Sequence, residues 1–484
     1  MSGRDDEARL PKPPAKPLIH GAAGPLLLRP WFDRATLHWV TRVYFPLSRA
    51  WAAARWADGD RDAFVERLRL RRPSERAVRA LVDALPPAEA RHRQARAAWQ
   101  AAFHADERPP PPRLVAAEVA REAAAQHLML QRVRGTALHW RHRLPPIELH
   151  AVDQATVDAV HAGRLAGPEA AFPAPPRPQV RHSHAVRGHD GWVSWIDWPA
   201  PTLGDRATAR VVAPADRADP PTFIHLHGIG MELEMWKARE DALNALARRH
   251  GLRVVQPEGP WHGSRMQEGY WGGEPALARA PVGYLGLVQA WVAELGQLVA
   301  WAKATSRGPV AIGGLSLGAL SAQVAACAAS HWPAEMQPDA LFLCMTSGDM
   351  LEVAFEGEMA RRLGATEAIR ARGWTHDTVA RYRPLLEPRG APAMPSRAIV
   401  MHLGRSDVVT PFRGGLALAR SWGVPDGNLF VRPRGHFAAP LALGFDTAPL
   451  DRLAAILNDR TSGGLPLRGD STRRRLAPPR VETL

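Results

Sequence analysis

The chain has 484 residues, 46% hydrophobic and 23% charged, the balance of an ordinary soluble protein. That length leaves room for a core domain of about 250–300 residues and more besides. The formal charge is +14, carried almost wholly by arginine, because only Lys12, Lys16, Lys237 and Lys303 are lysines. Cys327 and Cys344 are the only cysteines, which excludes a disulfide framework and fits a reducing compartment. Both stand in apolar runs, where a free cysteine behaves as a small buried hydrophobe.

Residues 1–190 carry 30 Arg and Lys against 20 Asp and Glu, so most of the excess charge is N-terminal. Abundant alanine and proline beside arginine fit the codon bias of a GC-rich genome. The same charge would also suit an anionic lipid surface. No nucleic-acid partner is expected. Met1–Pro17 is charged and proline-rich with no apolar stretch, so no secretory signal is visible and a cytoplasmic protein is expected.

Residues 1–25 read as a disordered tail. From 26 to 56, Trp31, Phe32, Trp39 and Phe45 alternate with Arg29, Arg34, Arg42 and Arg49 at roughly helical spacing. Two readings stand: a helix packing on a larger domain, or an interfacial helix with aromatics among acyl chains and arginines at headgroups. Residues 60–105 and 114–143 are rich in Ala, Arg, Glu and Leu and read as helices, broken by the prolines at 109–112. Residues 26–180 thus form a mainly helical region of unassigned role, ending in a proline-rich linker at 173–178.

The texture then changes. Short β-type runs are expected at 192–198, 206–213, 221–226, 252–257, 309–313, 339–345, 397–403 and 428–432. Helices fit 234–250, 284–305, 317–330, 411–422 and 449–458. Alternating strands and helices predict a mostly parallel eight-stranded sheet with helices on both faces, over residues 181–460. Ligands of such sheets bind beyond the carboxyl ends of the strands. Residues 346–396 exceed a plain crossover and read as a small helical cap. The uncharged run 311–330 is long enough to span a bilayer, but its glycine density and small residues fit a buried strand and helix. Residues 461–484 read as a disordered basic tail.

The strongest chemical signal is Gly314-Leu315-Ser316-Leu317-Gly318, between the apolar strand and an alanine-rich helix. A serine on so tight a turn is presented above the sheet, and flanking glycines remove side chains that would collide. Serine needs a base to take its proton. His436, in Arg434-Gly435-His436-Phe437, follows the last strand and is the candidate. Asp407, in Gly404-Arg405-Ser406-Asp407, follows the seventh strand and is the candidate acid, with Asp349 its rival. An oxyanion hole would take the N–H of Leu317 and, from the turn His227-Gly228-Ile229-Gly230, that of Ile229, with Gly228 second. His227 reads as a loop histidine. His262, in Gly259-Pro260-Trp261-His262-Gly263, reads as part of a tight loop at the pocket rim. Trp236, Trp261, Tyr270 and Trp271 are candidates for an apolar acyl pocket or for plain core.

Standing in this order, the HGIG turn, the PEGPWHGSR loop, the GLSLG elbow, the GRSDVV loop and the RGHF loop resemble the α/β-hydrolase superfamily over residues 190–460. Within it, HLHGIGMELEMW with GPWHGSR is similar to a group of abhydrolase-domain proteins. The resemblance implies the α/β-hydrolase fold and a Ser316, Asp407, His436 triad in the chain order that this fold uses. It further implies cleavage of an acyl ester, thioester or amide through an acyl-enzyme and with no cofactor; a small carboxylic ester is the expected substrate, lipid-like if the basic aromatic N-terminal stretch meets an anionic membrane. An acyltransferase using the same intermediate and a non-catalytic binding scaffold are the alternatives.

Overall fold

The computed structural model describes residues 8–12, 24–232 and 241–461. The two expected tails lie largely outside these residues, as do Trp236 and the first seven residues of the helix expected over 234–250. Within the first tail, Arg9 bridges to Arg187 and the Leu10 N–H donates to the Arg187 carbonyl at 2.8 Å, so residues 8–12 run alongside a strand.

Ten strands form one sheet: β1 (Arg181–His182), β2 (Val186–Arg187), β3 (Trp192–Pro199), β4 (Arg206–Ala213), β5 (Thr222–Leu226), β6 (Arg253–Pro257), β7 (Val310–Leu315), β8 (Ala340–Cys344), β9 (Ile399–Gly404) and β10 (Leu429–Arg432). Their order is β1-β3-β4-β6-β5-β7-β8-β9-β10, with β2 beside β3. β4 runs antiparallel to both neighbours, and β5 to β10 are parallel. Counted from β3, this is the eight-stranded sheet of an α/β-hydrolase. The eight expected strands match β3 to β10 within two residues at each end. β1 and β2 are too short to leave a periodic signature.

Every residue of β5, β6, β8 and β9 is buried, because helices cover both faces of the sheet. That is why these strands read as unbroken apolar runs. The run 311–330 divides between β7 and the helix Leu317–Ala328, all of whose residues are buried. Among the described residues, one helix, Val282–Thr305, is long and apolar enough to cross a membrane. It packs against the helix Leu317–Ala328, and 83% of its most apolar stretch is buried in protein. Cys327 and Cys344 are free and buried.

After a single turn of helix at Gly24–Leu27, the N-terminal region runs through α1 (Pro30–Trp39) and a wide turn at Val40–Tyr44 into α2 (Phe45–Ala57), and includes the long helices Leu85–Phe103 and Pro111–Leu130. The proline run both separates these two helices and opens the second, because a proline at the first helical position lacks only an N–H that would have no partner there. α2 is alanine-rich and almost wholly buried. Its Phe45 stacks on Trp271 with ring centroids 4.4 Å apart. Its Arg49, 1% exposed, donates to the Gly269 carbonyl at 2.7 Å and pairs with Glu148, with Glu274 at 3.6 Å. A buried arginine is tolerable only when paired in this way, so α2 is pinned to the sheet domain as well as packed on it. Buried Arg132 pairs with buried Glu232 at 2.7 Å and adds a second such pin. The proline-rich stretch is held too: the Phe172 carbonyl accepts from the Trp332 indole and the Pro176 carbonyl from Gln297.

Residues 346–396 form the short helices Met350–Phe355, Glu358–Arg362, Ala365–Ala371, His376–Ala380 and Arg383–Leu386.

Candidate active site

Three of the expected residues meet above the carboxyl ends of β7, β9 and β10. Ser316 sits between β7 and its helix at φ 55°, ψ −119°, a conformation that L-residues rarely hold. The chain is forced into it by close packing. A Cβ at Gly314 would lie 2.6 Å from the Gly318 carbonyl carbon and 2.7 Å from the Leu226 oxygen, so the helix can approach β5 only with glycine there. The Ser316 N–H donates to the Cys344 carbonyl at 2.9 Å, which fixes the turn against β8.

His436 Nε2 lies 2.9 Å from Ser316 Oγ, and its Nδ1 lies 2.8 Å from Asp407 Oδ2. Asp407 also accepts from the N–H groups of Val409 (2.8 Å) and Thr410 (3.0 Å) and from Thr410 Oγ1 (2.9 Å). A carboxylate taking this many donors leaves Nδ1 as the protonated ring nitrogen and Nε2 free to accept from the serine hydroxyl. His436 and Asp407 are both 6% exposed. Asp349, the rival acid, instead caps the helix Met350–Phe355 by accepting from the Glu352 N–H at 2.9 Å.

Leu317 opens its helix, so its N–H has no carbonyl four residues back to bond and sits at the positive end of the helix dipole. The turn after β5 lies against it: a Cβ at Gly228 would be 3.6 Å from Ser316 Cβ. The Gly228 N–H is directed to Met231 Sδ at 3.3 Å, whereas that of Ile229 has no acceptor among the described residues. Two histidines hold this turn reciprocally. His227 Nε2 accepts from the Gly259 N–H at 2.9 Å, and His262 Nε2 accepts from the Gly230 N–H at 3.3 Å. Each ring donates its other nitrogen to a carbonyl, Gly228 and Pro260 respectively. Burial pushes the His227 pKa down to about 4, and burial, with His227 nearby, holds His262 well below the usual histidine range. Both rings are therefore neutral and structural. Arg265 of the same loop is buried and donates to Glu294, Asp205 and the Glu258 carbonyl, which fastens the loop beneath the turn.

Ser316 and His436 open on an apolar cavity of about 290 Å³. Its walls include Ile229, Met231, Leu243, Leu315, Phe437 and Leu441. The N-terminal region supplies further lining: Phe32, Trp39, Val40, Tyr44 and Phe45. Sequence reasoning missed this lining, and also Asp33, whose carboxylate bonds the loop that carries His436. Trp261, Tyr270 and Trp271 lie outside the lining; Trp271 is core against Phe45. From residues 346–396 only Met359 reaches the cavity. Of the four aromatics expected to face acyl chains, Phe45 is buried and Phe32 half-buried, while Trp31 and Trp39 are each 50% exposed.

No family model and no curated protein matches the sequence. Among solved structures, a hyperthermophilic esterase from the archaeon Pyrobaculum calidifontis shares 17% identity over 60% of this chain and 85% of its own, with a TM-score of 0.37. An S-formylglutathione hydrolase from Agrobacterium tumefaciens shares 14% over 58% of this chain and all of its own, with a TM-score of 0.38. A bacterial heroin esterase shares 18% over 66% and 95%, with a TM-score of 0.36. Likenesses this distant assign neither a family nor a substrate.

Proposed function

We propose that the protein is a serine hydrolase that cleaves carboxylic esters with an apolar acyl group. The observation that supports this reading is the continuous hydrogen-bonded line Ser316–His436–Asp407 at the wall of an apolar cavity. In the proposed reaction, Ser316 Oγ attacks the ester carbonyl carbon while its proton passes to His436 Nε2. Asp407 holds the ring in the tautomer that can receive it. The carbonyl electron pair moves onto oxygen, where the N–H groups of Leu317 and Ile229 meet the charge. Collapse of this intermediate breaks the bond to the alkoxide, which leaves with the proton from His436. Water then attacks the acyl-enzyme by the same steps and releases the acid.

The cavity is at the small end of ligand pockets, roughly 300–1,000 Å³, and the chain of the acyl group would lie against the N-terminal wall. On aryl esters of increasing chain length, kcat/KM is expected to rise about fourfold per methylene while the chain still fits, since each buried CH₂ contributes roughly 0.8 kcal/mol. It should then level off or fall. Ser316→Ala should abolish turnover of the whole series. Hydrolysis independent of Ser316 would remove the reading.

Trp31 and Trp39 are half exposed, Arg34 and Arg42 of the same segment are exposed, and Trp39 also lines the cavity. This supports peripheral contact with an anionic membrane as part of the proposal, each arginine contributing roughly 1 kcal/mol near such a surface. Co-sedimentation with phosphatidylserine-containing vesicles should exceed that with neutral vesicles and weaken at high salt. Equal, negligible binding in all conditions would sink the membrane contact.

A further inference from the structure

We infer that Asp33 of α1 is a positioning residue for His436, its carboxylate holding from outside the catalytic domain the loop that presents the base to Ser316. The inference rests on the hydrolase reading above. Asp33 is 8% exposed, and both of its oxygens are turned to that loop. Oδ2 accepts from the Gly435 N–H at 2.9 Å; Oδ1 accepts from the N–H groups of Phe437 at 2.7 Å and Ala438 at 2.9 Å. The three donors flank His436 on either side, so the carboxylate clamps the peptide units that aim the imidazole.

The loop needs such a clamp. Ala438 begins the short helix Ala438–Ala442, and the residue before it, Phe437, supplies no capping side chain. Gly435 and Ala438 are buried, so their N–H groups would be left without water or partner if the carboxylate were removed. Bonds from N–H to a carboxylate are about twice as strong as those between neutral groups. An acidic residue in the first turn of a helix is often placed for its own helix dipole. Here the oxygens instead serve residues more than 400 positions away.

A second observation ties the two segments together. A Cβ at Gly435 would lie 2.6 Å from Asp33 Cγ and 2.9 Å from its Oδ2. The glycine preceding the base is therefore dictated by the carboxylate docked on it. His436 is in this way held at its ring by Asp407 and at its backbone by Asp33. The N-terminal region thus supplies both a wall of the acyl cavity and part of the support of the base.

The test uses the full chain with Asp33→Ala, Asp33→Asn and Ser316→Ala. The readouts are the rate of labelling by a small fluorophosphonate, kcat and KM on a short aryl ester, and thermal stability. A small phosphonyl group makes little use of the acyl wall, so its labelling rate reports how well His436 activates Ser316. Loosening the base by a fraction of an ångström should slow labelling and kcat about 10–100-fold in Asp33→Ala, with KM little changed. Asp33→Asn keeps one acceptor oxygen and should lose less. A folded Asp33→Ala with wild-type labelling and kcat, or with its loss confined to KM, overturns the inference. If Asp33→Ala does not fold, the near-isosteric Asn variant decides by the same readouts, and unfolding of both counts against a role confined to the base. Residual turnover in Ser316→Ala would instead defeat the hydrolase reading, whatever the Asp33 variants do.

Discussion

At the scale of single residues, two aspartates compete for the acid role in the sequence, and their hydrogen bonds separate them. Asp407 faces His436 Nδ1, whereas Asp349 spends its carboxylate on a helix cap. Asp407→Asn should lower kcat by a factor on the order of 10⁴, because an amide in its place favours the wrong imidazole tautomer. Asp349→Asn should leave activity and stability near wild type, since asparagine caps a helix as well as aspartate does. The reverse ranking, measured on one ester, would transfer the acid role to Asp349. Ser316, Asp407 and His436 were legible because each directly follows an apolar strand and the three stand in one recognisable order. Asp33 was not legible. Its partners are N–H groups, which carry no residue identity, and they lie at the other end of the chain.

At the scale of elements, the turn after β5 and the loop after β6 are held by His227 and His262, each accepting an N–H that a protonated ring would repel. The sign of the pH effect follows. The folded pKa of His227 is about 4, below the unfolded value of about 6.5, so acid favours the unfolded chain. His262 is shifted in the same direction. Their contribution to stability is complete above about pH 6.5 and should be lost progressively as the pH falls towards 4. Urea unfolding at a series of pH values checks this, with a shallower slope expected for His227→Gln. A flat profile between pH 6.5 and 4.5 would contradict the clasp. The strands and these loops could be placed from sequence because buried parallel strands form unbroken apolar runs ending in glycine. The wall of the cavity could not. The length of 346–396 suggests a cap, yet Met359 alone of that segment reaches the cavity while Phe32, Trp39, Val40, Tyr44 and Phe45 line it. Segment length shows where material is inserted, and only packing shows where it rests.

At the scale of the whole molecule, the helical N-terminal region and the sheet domain share their buried groups. Arg49 is neutralised by Glu148 and Glu274, Phe45 stacks on Trp271, and Asp33 anchors the loop of the proposed base. Of residues 26–56, α2 is core, so Phe45 and Arg49 cannot meet acyl chains or headgroups as the interfacial reading had them, while Trp31 and Trp39 stay half exposed. This assembly is proposed to serve one nucleophile, Ser316. The most direct test is to incubate the protein with a fluorophosphonate and map the modified peptide by mass spectrometry. A single phosphonyl adduct is expected on Ser316, absent in Ser316→Ala and slowed in His436→Ala. No adduct on the folded protein, or an adduct on another residue with Ser316 untouched, would contradict it.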